Sequence, residues 1–255
     1  MLDIHQVLVM QDNYVYLLRD PATGATAVVD PAEAEPVLAA LARTGWKLSH
    51  ILNTHHHWDH VDGNLALKQA TGCQVYGAAR DRGDIPGLDV ALGEGDTVEL
   101  GAITAQVMAV PGHTQGHLAY WFEADRALFC GDTLFAMGCG RLLGGTAEQM
   151  WNSLSRIRDL PDETRVYCAH EYTEANGRFA LTLEPDNPAL VERMARVREL
   201  RRDGRPTVPS LLREERATNP FLRPESPEIQ ATLGVRGAEP VRVFAETRRR
   251  KDAFR

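Results

Sequence analysis

The feature that most constrains this chain is a run of ligand-type side chains, Thr54-His55-His56-His57-Trp58-Asp59-His60. The run follows an apolar segment, 48–52, that is typical of a strand and precedes a predicted helix. A chain that leaves a strand extended alternates its side chains, so His55 and His57 are predicted to share one side and His56 to face away. Asp59 and His60 then lie where the chain turns into the helix. These nitrogen and oxygen donors suit Zn²⁺, Fe²⁺ or Mn²⁺ and predict two adjacent metal positions.

Three more ligand-type residues come just after predicted strands: His113, Asp132 and His170. Connections at the ends of strands on a rigid scaffold usually carry function. With the run above, they bring the candidate ligands to five histidines and two aspartates. That set is large enough for two metal ions that share one bridging ligand. His117, in the same part of the chain, is expected to support a ligand rather than to be one.

The chain is predicted to have two parts. Strands and helices mix up to about residue 172, and the remainder is predicted to be helical throughout, with helices over 188–203, 208–215 and 241–254. The strands are inferred from short apolar runs between turns, and the helices from apolar spacings of three and four residues. The pattern indicates an α+β or layered αββα domain over 1–172 with a C-terminal helical appendage over 173–255. The catalytic role of the first part and the substrate-binding role of the second are implied by the family resemblance given below.

Composition excludes several classes of function. The net charge of −7 gives no reason to expect a nucleic-acid partner. No apolar stretch approaches the roughly 20 residues of a membrane-spanning helix, and the N-terminus lacks the pattern of a signal peptide. Four cysteines without CxxC spacing favour free thiols in a reducing cytosol, and Cys130, Cys139 and Cys168 are expected to be packing residues. We therefore expect a cytoplasmic monomer with no membrane partner.

The C-terminal stretch from Arg236 to Arg255 is basic, with seven Lys and Arg residues against three Asp and Glu residues. Charge alone favours a solvated helix face over an anion-binding site. Arg248 and Lys251 are three residues apart, however, so they share one face of a helix. Two cations on one face are able to hold a carboxylate.

The ligand-type residues resemble the metallo-β-lactamase superfamily. The T-H-x-H-x-D-H motif of that superfamily corresponds to Thr54–His60, and its later ligands correspond to His113, Asp132 and His170. The resemblance implies a four-layer αβ/βα sandwich with a site for two metal ions. It fixes the fold and the metals better than the substrate, because the superfamily cleaves lactams, phosphodiesters, lactones and thioesters and also includes iron-dependent redox enzymes.

Further segments resemble glyoxalase II, the hydroxyacylglutathione hydrolase family, from one end of the chain to the other. They are Asp12–Tyr14, Gly131–Phe135, Gly138–Arg141, Gly145–Met150, His170–Thr173, Asn219–Arg223 and Arg249–Phe254. The resemblance implies two divalent metal ions per chain, zinc or else iron or manganese. It assigns one ion to His55, His57 and His113, the other to Asp59, His60 and His170, and the bridge to Asp132.

The same resemblance implies a site for glutathione at Arg141, Leu143, Tyr172, Arg248 and Lys251. Leu143 departs from the family, which commonly has an aromatic residue there, and Gly144 follows where an acidic residue is frequent. The implied reaction is hydrolysis of S-D-lactoylglutathione to D-lactate and glutathione in methylglyoxal detoxification. Two alternatives remain open at this point: an iron-dependent persulfide dioxygenase of the same superfamily, and a non-catalytic metal-binding module.

Overall fold

The computed structural model describes residues 1–254, which form two compact units. The first unit comprises Met1–Ala109 and Gln115–Gly131, and the second comprises Val110–Thr114 and the chain from Asp132 onward. Strands predominate in the first unit, and helices predominate in the second.

The first unit contains ten strands and three helices. The strands are β1 (Asp3–Val9), β2 (Asn13–Arg19), β3 (Ala25–Val29), β4 (Lys47–Leu52), β5 (Gln74–Ala78), β6 (Val90–Leu92), β7 (Thr97–Leu100), β8 (Ile103–Ala109), β9 (Leu118–Phe122) and β10 (Ala127–Gly131). The helices are α1 (Ala34–Thr44), α2 (Trp58–Val61) and α3 (Asn64–Thr71).

Two sheets organise these strands. Strands β1 to β6 lie side by side in chain order, antiparallel from β1 to β3 and parallel from β3 to β6. Helix α1 connects the parallel strands β3 and β4, and α3 follows β4 before β5, because parallel neighbours need a crossover connection. Strands β7 to β10 form a second, antiparallel arrangement.

Strand β2 is buried on both faces, which explains its uninterrupted apolar sequence. Val15 and Leu17 pack into a core with Val37 of α1 and with Leu67 of α3. Tyr16 points the other way, and its ring centroid lies 5.4 Å from that of Phe129 on β10. Truncating a fully buried side chain such as Leu67 to alanine is expected to cost about 2–5 kcal/mol.

The second unit contains four short strands and six helices. The strands are β11 (Leu134–Phe135), β12 (Gly138–Cys139), β13 (Arg165–Cys168) and β14 (Ser210–Leu211). The helices are α4 (Ala147–Arg158), α5 (Thr173–Leu183), α6 (Pro188–Arg202), α7 (Leu212–Thr218), α8 (Pro227–Leu233) and α9 (Pro240–Ala253).

Local sequence explains where these helices begin. Thr146 and Gln149 form a capping box at the start of α4. The side chain of Asn187 accepts the first amide protons of α6, and a proline occupies the first turn. Helix α9 also opens with a proline, and it buries Phe244 and Arg248 on one face. Arg248, a predicted substrate-binding residue, is thus part of the packed face of its helix.

The predicted α+β class is confirmed, and most predicted elements lie within a few residues of the observed ones. The helix predicted over 208–215 is wrong at its start, because Ser210 and Leu211 pair with β13 and the helix begins only at Leu212. The expectation that helices alone follow residue 172 is wrong for the same reason. All four cysteines are buried free thiols. Among residues 1–254, no helix combines the length and the apolar character needed to cross a membrane.

Candidate metal centre and substrate pocket

The first group of predicted ligands follows β4. The backbone stays extended up to His57, which has φ −63° and ψ 144° and immediately precedes α2. Helix α2 is short and was not predicted, and it carries Asp59 in its first turn and His60 in its last. The chain therefore turns at Trp58, earlier than the helix predicted from Asn64. The rings of His55, His57, His60 and His117 are termed the histidine cluster.

His55 is at the centre of the histidine cluster. Its ring centroid lies 4.0 Å from that of His60 and 4.6 Å from those of His57 and His117, and the His117 ring is stacked on it. Nε2 of His55 lies 3.0 Å from Nδ1 of His57. His55, His60 and His117 are almost completely buried. Imidazole nitrogens thus converge in a buried part of the first unit.

Hydrogen bonds fix which nitrogen of His55 carries the proton. The hydroxyl of Thr54 donates to Oδ2 of Asp30 at 2.7 Å, so it accepts the proton of His55 Nδ1 at 3.1 Å. In the neutral ring, Nε2 of His55 then carries the lone pair, which is the form that a metal ligand needs. His117 Nδ1 likewise donates to the carbonyl of Leu118 at 3.0 Å, because a carbonyl can only accept.

Two supporting residues escaped the sequence analysis. Asp30, at the end of β3, accepts from the Thr54 amide at 2.7 Å, and its Oδ2 lies 3.1 Å from Nδ1 of His60. Asn13 donates to the carbonyl oxygen of Asp59 at 3.0 Å and to its Oδ2 at 3.3 Å. Asp30 directly follows a strand, as the predicted ligands do, so its position in the sequence could have identified it. For Asn13, the only signal in the sequence was its location in Asp12–Tyr14, one of the segments that resemble the family.

His56 turns away from the histidine cluster, as alternation predicts. Its Nδ1 lies 2.8 Å from Oδ2 of Asp81, a buried carboxylate on the turn after β5. Gly131 shows how closely the backbone approaches the cluster from another side. It has φ 48°, and a Cβ there would overlap the Thr54 hydroxyl and lie 2.9 Å from a ring carbon of His117. A glycine is required at that position.

The second group of predicted ligands lies in the second unit and is termed the carboxylate cluster: His113, Asp132 and His170. Oδ2 of Asp132 lies 3.4 Å from Nε2 of His113, and Oδ1 lies 3.4 Å from Nε2 of His170. His113 donates from Nδ1 to the carbonyl of Arg141 at 2.8 Å. In the neutral ring, Nε2 presents a lone pair towards a carboxylate oxygen, an arrangement that suits a cation bound by both groups.

The donor set passes the test for divalent metals. Nδ1 of His55 is held by the Thr54 hydroxyl and Nδ1 of His113 by the Arg141 carbonyl, and Asp132 directs one oxygen to each of two histidines. An outer nitrogen held by a hydrogen bond in this way is typical of metal-binding histidines in proteins. The donor set includes none of the four thiols, so it suits metals that accept nitrogen and oxygen.

A pocket of about 370 Å³ lies in the second unit beside the carboxylate cluster. Its walls include four of the five predicted substrate residues: Arg141, Tyr172, Arg248 and Lys251. Tyr172 links it to a predicted metal ligand, because its ring stacks on His170 with 4.8 Å between centroids and 2° between planes. Phe135 meets both rings edge-on.

The predicted substrate residues Arg248 and Lys251 differ in the contacts that their side chains make within the protein. Arg248 is 5% exposed and donates to the carbonyl of Cys139 at 2.9 Å and to Asp252 at 2.8 Å. Lys251 is half-buried, with its ammonium 5.7 Å from the centroid of Phe254. Burial lowers the pKa of Lys251, and the positive charge of Arg248 lowers it further.

Two predicted substrate residues lie at or beyond the rim. The side chain of Arg141 is 71% exposed, and it projects from the chain just after β12. Leu143 is 58% exposed and does not line the pocket. Its amide donates to the carbonyl of His113 at 3.2 Å, so the backbone at this position supports the carboxylate cluster.

Two family models account for nearly all of the chain. The model described as Metallo-beta-lactamase superfamily matches residues 11–170, and the model described as Hydroxyacylglutathione hydrolase C-terminus matches residues 171–254. The first match, together with the histidine and aspartate groups, indicates that the chain binds divalent metals. The second covers the helical part of the chain.

Curated relatives match over the full length. A hydroxyacylglutathione hydrolase of Methylococcus capsulatus is 66% identical over 255 residues, which is 100% of both chains. Another, from Rhodospirillum rubrum, is 56% identical over 253 residues and covers 99% of both chains.

Solved structures share the fold. The crystal structure of ETHE1 from Myxococcus xanthus has a TM-score of 0.68 at 27% identity and covers 99% of this chain and 100% of its own. BLEG-1 B3 metallo-beta-lactamase has a TM-score of 0.66 at 22% identity and covers 87% and 99%. The predicted metallo-β-lactamase fold with a helical C-terminal part is confirmed. With relatives this similar along its whole length, the chain belongs to the hydroxyacylglutathione hydrolase family of the metallo-β-lactamase superfamily.

Proposed function

We propose that this protein hydrolyses the thioester of S-(2-hydroxyacyl)glutathione, with S-D-lactoylglutathione as substrate and D-lactate and glutathione as products. The observation that carries the proposal is a cationic pocket in the second unit whose Tyr172 wall stacks on the predicted metal ligand His170. Full-length relatives that bear the name hydroxyacylglutathione hydrolase support the same reaction.

We assign two divalent metal ions to the predicted ligands, in the arrangement that the family resemblance implies. His55, His57 and His113 hold one ion, Asp59, His60 and His170 hold the other, and Asp132 bridges them. The separate geometries of the two units support this assignment, since the histidine cluster presents lone pairs and Asp132 directs its two oxygens to different histidines. Zinc suits the donor set best, and iron and manganese accept the same ligands.

Two such ions, when bound, would supply a Lewis acid for the thioester oxygen and would lower the pKa of a bound water towards about 7. The chain's own residues then need to orient and bind rather than to donate protons. A thiol has an ordinary pKa of about 8.5, so the glutathione sulfur leaves as a thiolate with little help from an acid. Burial raises the pKa of Cys168 to about 12 and that of Cys139 to about 11, so these two thiols are poor nucleophiles.

Substrate capture is assigned to the pocket. Glutathione carries two carboxylates. Lys251 offers a cation at the pocket wall, and its ammonium lies over the rings of Phe179 and Phe254. Tyr172 and Phe135 supply an apolar surface between that cation and the carboxylate cluster. Arg248 lines the pocket as well, but its guanidinium is held by Cys139 and Asp252.

The two alternatives make different predictions. A persulfide dioxygenase is expected to lack the helical C-terminal part, whereas residues 171–254 match the C-terminal model of the hydrolase family. A non-catalytic module predicts bound metal without turnover. Thiol release from S-D-lactoylglutathione, oxygen consumption with glutathione persulfide and metal content, measured on one sample, separate all three.

The expected result is thiol release, no oxygen consumption and two metal ions per chain. A panel of other thiol carriers and acyl groups in the same assay identifies the preferred substrate. Oxygen consumption with one bound iron contradicts the proposal in favour of the dioxygenase. Metal binding with neither activity contradicts it in favour of the non-catalytic module.

We also propose a domain boundary at residues 172 and 173, a monomeric state and a cytoplasmic location. The boundary is supported by the junction of the two matched family models near residue 170. Four buried free thiols favour a reducing compartment. Light scattering on the purified protein and fractionation of the host cell test the last two proposals.

A further inference from the structure

The small hairpin β11–β12 occupies a critical place in the second unit. Asp132 of the carboxylate cluster comes just before it, and Arg141, whose carbonyl orients His113, comes just after it. The two ends are tied together, since the amide of Gly140 donates to the carbonyl of Thr133 at 3.2 Å. A shift of the hairpin would therefore move the bridging carboxylate and the acceptor for His113 together.

This hairpin has only two residues in each strand, so its own ladder is too short to fix its position. Side chains from the helical part of the chain bind its backbone instead. Asn219 Nδ2 donates to the carbonyls of Phe135 at 3.1 Å and Gly138 at 3.0 Å, and Glu215 Oε2 accepts from the amide of Met137 at 2.8 Å.

Two further residues complete this support. Asn176 Nδ2 donates to the carbonyl of Ala136 at 3.2 Å, and Arg248 Nη1 donates to that of Cys139 at 2.9 Å. Each of the five hairpin residues from Phe135 to Cys139 thus has a backbone group held by a side chain from residues 176–248.

Glu215 and Asn219 are fixed by a buried network of their own. Arg193 forms an ion pair with Glu215 and donates to Thr218 at 2.7 Å, and Asn219 Nδ2 lies 3.1 Å from Glu215 Oε2. Glu215 and Asn219 are fully buried. A buried network in which every member is paired is rigid, because breaking any one bond leaves a desolvated polar group.

We propose that Glu215 and Asn219 are positioning residues for the metal centre. By holding β11–β12 they set Asp132 and the Arg141 carbonyl, so the helical part contributes to metal binding as well as to substrate capture. The proposal rests on the metal assignment of the proposed function, but it concerns metal affinity, which is measured without any substrate.

The test compares zinc affinity, measured by chelator competition with the metal-free protein, in Asn219→Ala, Glu215→Gln and Glu184→Gln. Glu184 is the matched control, a buried carboxylate paired with Arg223 at 2.8 Å and with Ser226 at 2.7 Å, away from the hairpin. All three variants are expected to melt at lower temperature. Only the first two are expected to lose zinc affinity, by about 10–100-fold, with a parallel fall in kcat.

Wild-type zinc affinity in both Asn219→Ala and Glu215→Gln would overturn the proposal, as would an equal loss in Glu184→Gln. If Glu215→Gln does not fold, the test uses Asn219→Ala together with Gly138→Ala. The new Cβ in Gly138→Ala would overlap the side-chain amide of Asn176 and so disturb the same support of the hairpin. Gly138→Ala is also expected to lose zinc affinity. Wild-type protein that binds zinc but hydrolyses no thioester contradicts the proposed function and leaves this test intact, whereas protein that binds no divalent metal overturns both.

Discussion

The histidine cluster and the substrate pocket hold their functional groups in opposite ways. In the histidine cluster, Nδ1 of His55 is held by the Thr54 hydroxyl, and Nδ1 of His117 is held by the Leu118 carbonyl. In the pocket, Arg248 and Lys251 are charged, and only Arg248 is tied to a carboxylate. Metal ligands must be deprotonated and fixed, whereas a group that captures an anion must keep its charge. The comparison predicts that substitutions in the histidine cluster lower metal content and kcat, and that substitutions in the substrate pocket raise KM.

The largest effect is expected from Asp132→Ala. The substitution removes the carboxylate that faces both His113 and His170, so each of the two proposed metal sites would lose a ligand. Metal content should fall, and kcat/KM should fall by more than the roughly 10–100-fold that is typical for removal of an outer partner of a ligand. Metal analysis and thioester hydrolysis on the same sample test this. A variant that keeps two metals per chain would contradict the bridging role.

His57→Ala and His56→Ala form a matched pair of neighbours. His57 has its Nδ1 3.0 Å from a lone pair of His55, whereas His56 is held by Asp81. His57→Ala should lose metal and activity, and His56→Ala should keep most of its metal. Equal metal loss in the two variants would show that the difference in orientation has no consequence for binding.

Lys251→Ala is expected to act on substrate capture alone. Loss of one charge-assisted hydrogen bond of roughly 1.4 kcal/mol raises KM for a glutathione thioester about tenfold. Metal content and the rate with a small thioester that lacks glutathione should stay near wild type. Arg249→Ala is the control, since Arg249 is an exposed cation on the same helix and is paired with Glu246.

Added salt should raise the wild-type KM, because a partly exposed ion pair between Lys251 and the substrate carboxylate is screened. Arg248→Ala should raise KM as well, and it should also lower the melting temperature, because the Cys139 carbonyl loses its donor. If KM is unchanged in both Lys251→Ala and Arg248→Ala, the basic stretch is a solvated helix face and does not bind the substrate.

The pH dependence of KM gives a smaller and sharper test. Burial and the Arg248 charge lower the pKa of Lys251 from its ordinary value of 10.5, so its positive charge is lost at lower pH than in free lysine. Carboxylate binding needs the charged form of Lys251. As the pH is increased, KM should therefore begin to rise at a pH lower than 10.5. In Lys251→Arg the side chain stays charged, and the rise should disappear. The same rise in both proteins would assign the titration to another group.

The smallest effect is expected from Leu143→Tyr, which restores the aromatic residue common in the family. Leu143 is largely exposed and does not line the pocket, so the gain is limited to an aromatic contact of about 0.5–1.5 kcal/mol. KM should fall by no more than about tenfold, with kcat and metal content unchanged. A change in metal content would mean that the substitution has disturbed the hydrogen bond from the amide of residue 143 to the carbonyl of His113.

The sequence by itself determined the class of fold, most of the strands and the seven candidate ligands. It did so because apolar periodicity marks the strands, and the ligands follow strand ends at short range. The run from Thr54 to His60 contains four of those ligands within six positions, and their alternation needs no information from elsewhere in the chain.

Only the tertiary structure decided which groups hold these side chains in place. Asn13 reaches Asp59 across 46 residues of sequence, Asp30 reaches Thr54 across 24, and Arg248 reaches Cys139 across 109. The hairpin β11–β12 and the pairing of Ser210 and Leu211 with β13 are of the same kind. Such contacts carry no local periodicity, because they depend on which distant segments packing brings together. Periodicity therefore identified the candidate ligands, and packing set their orientation.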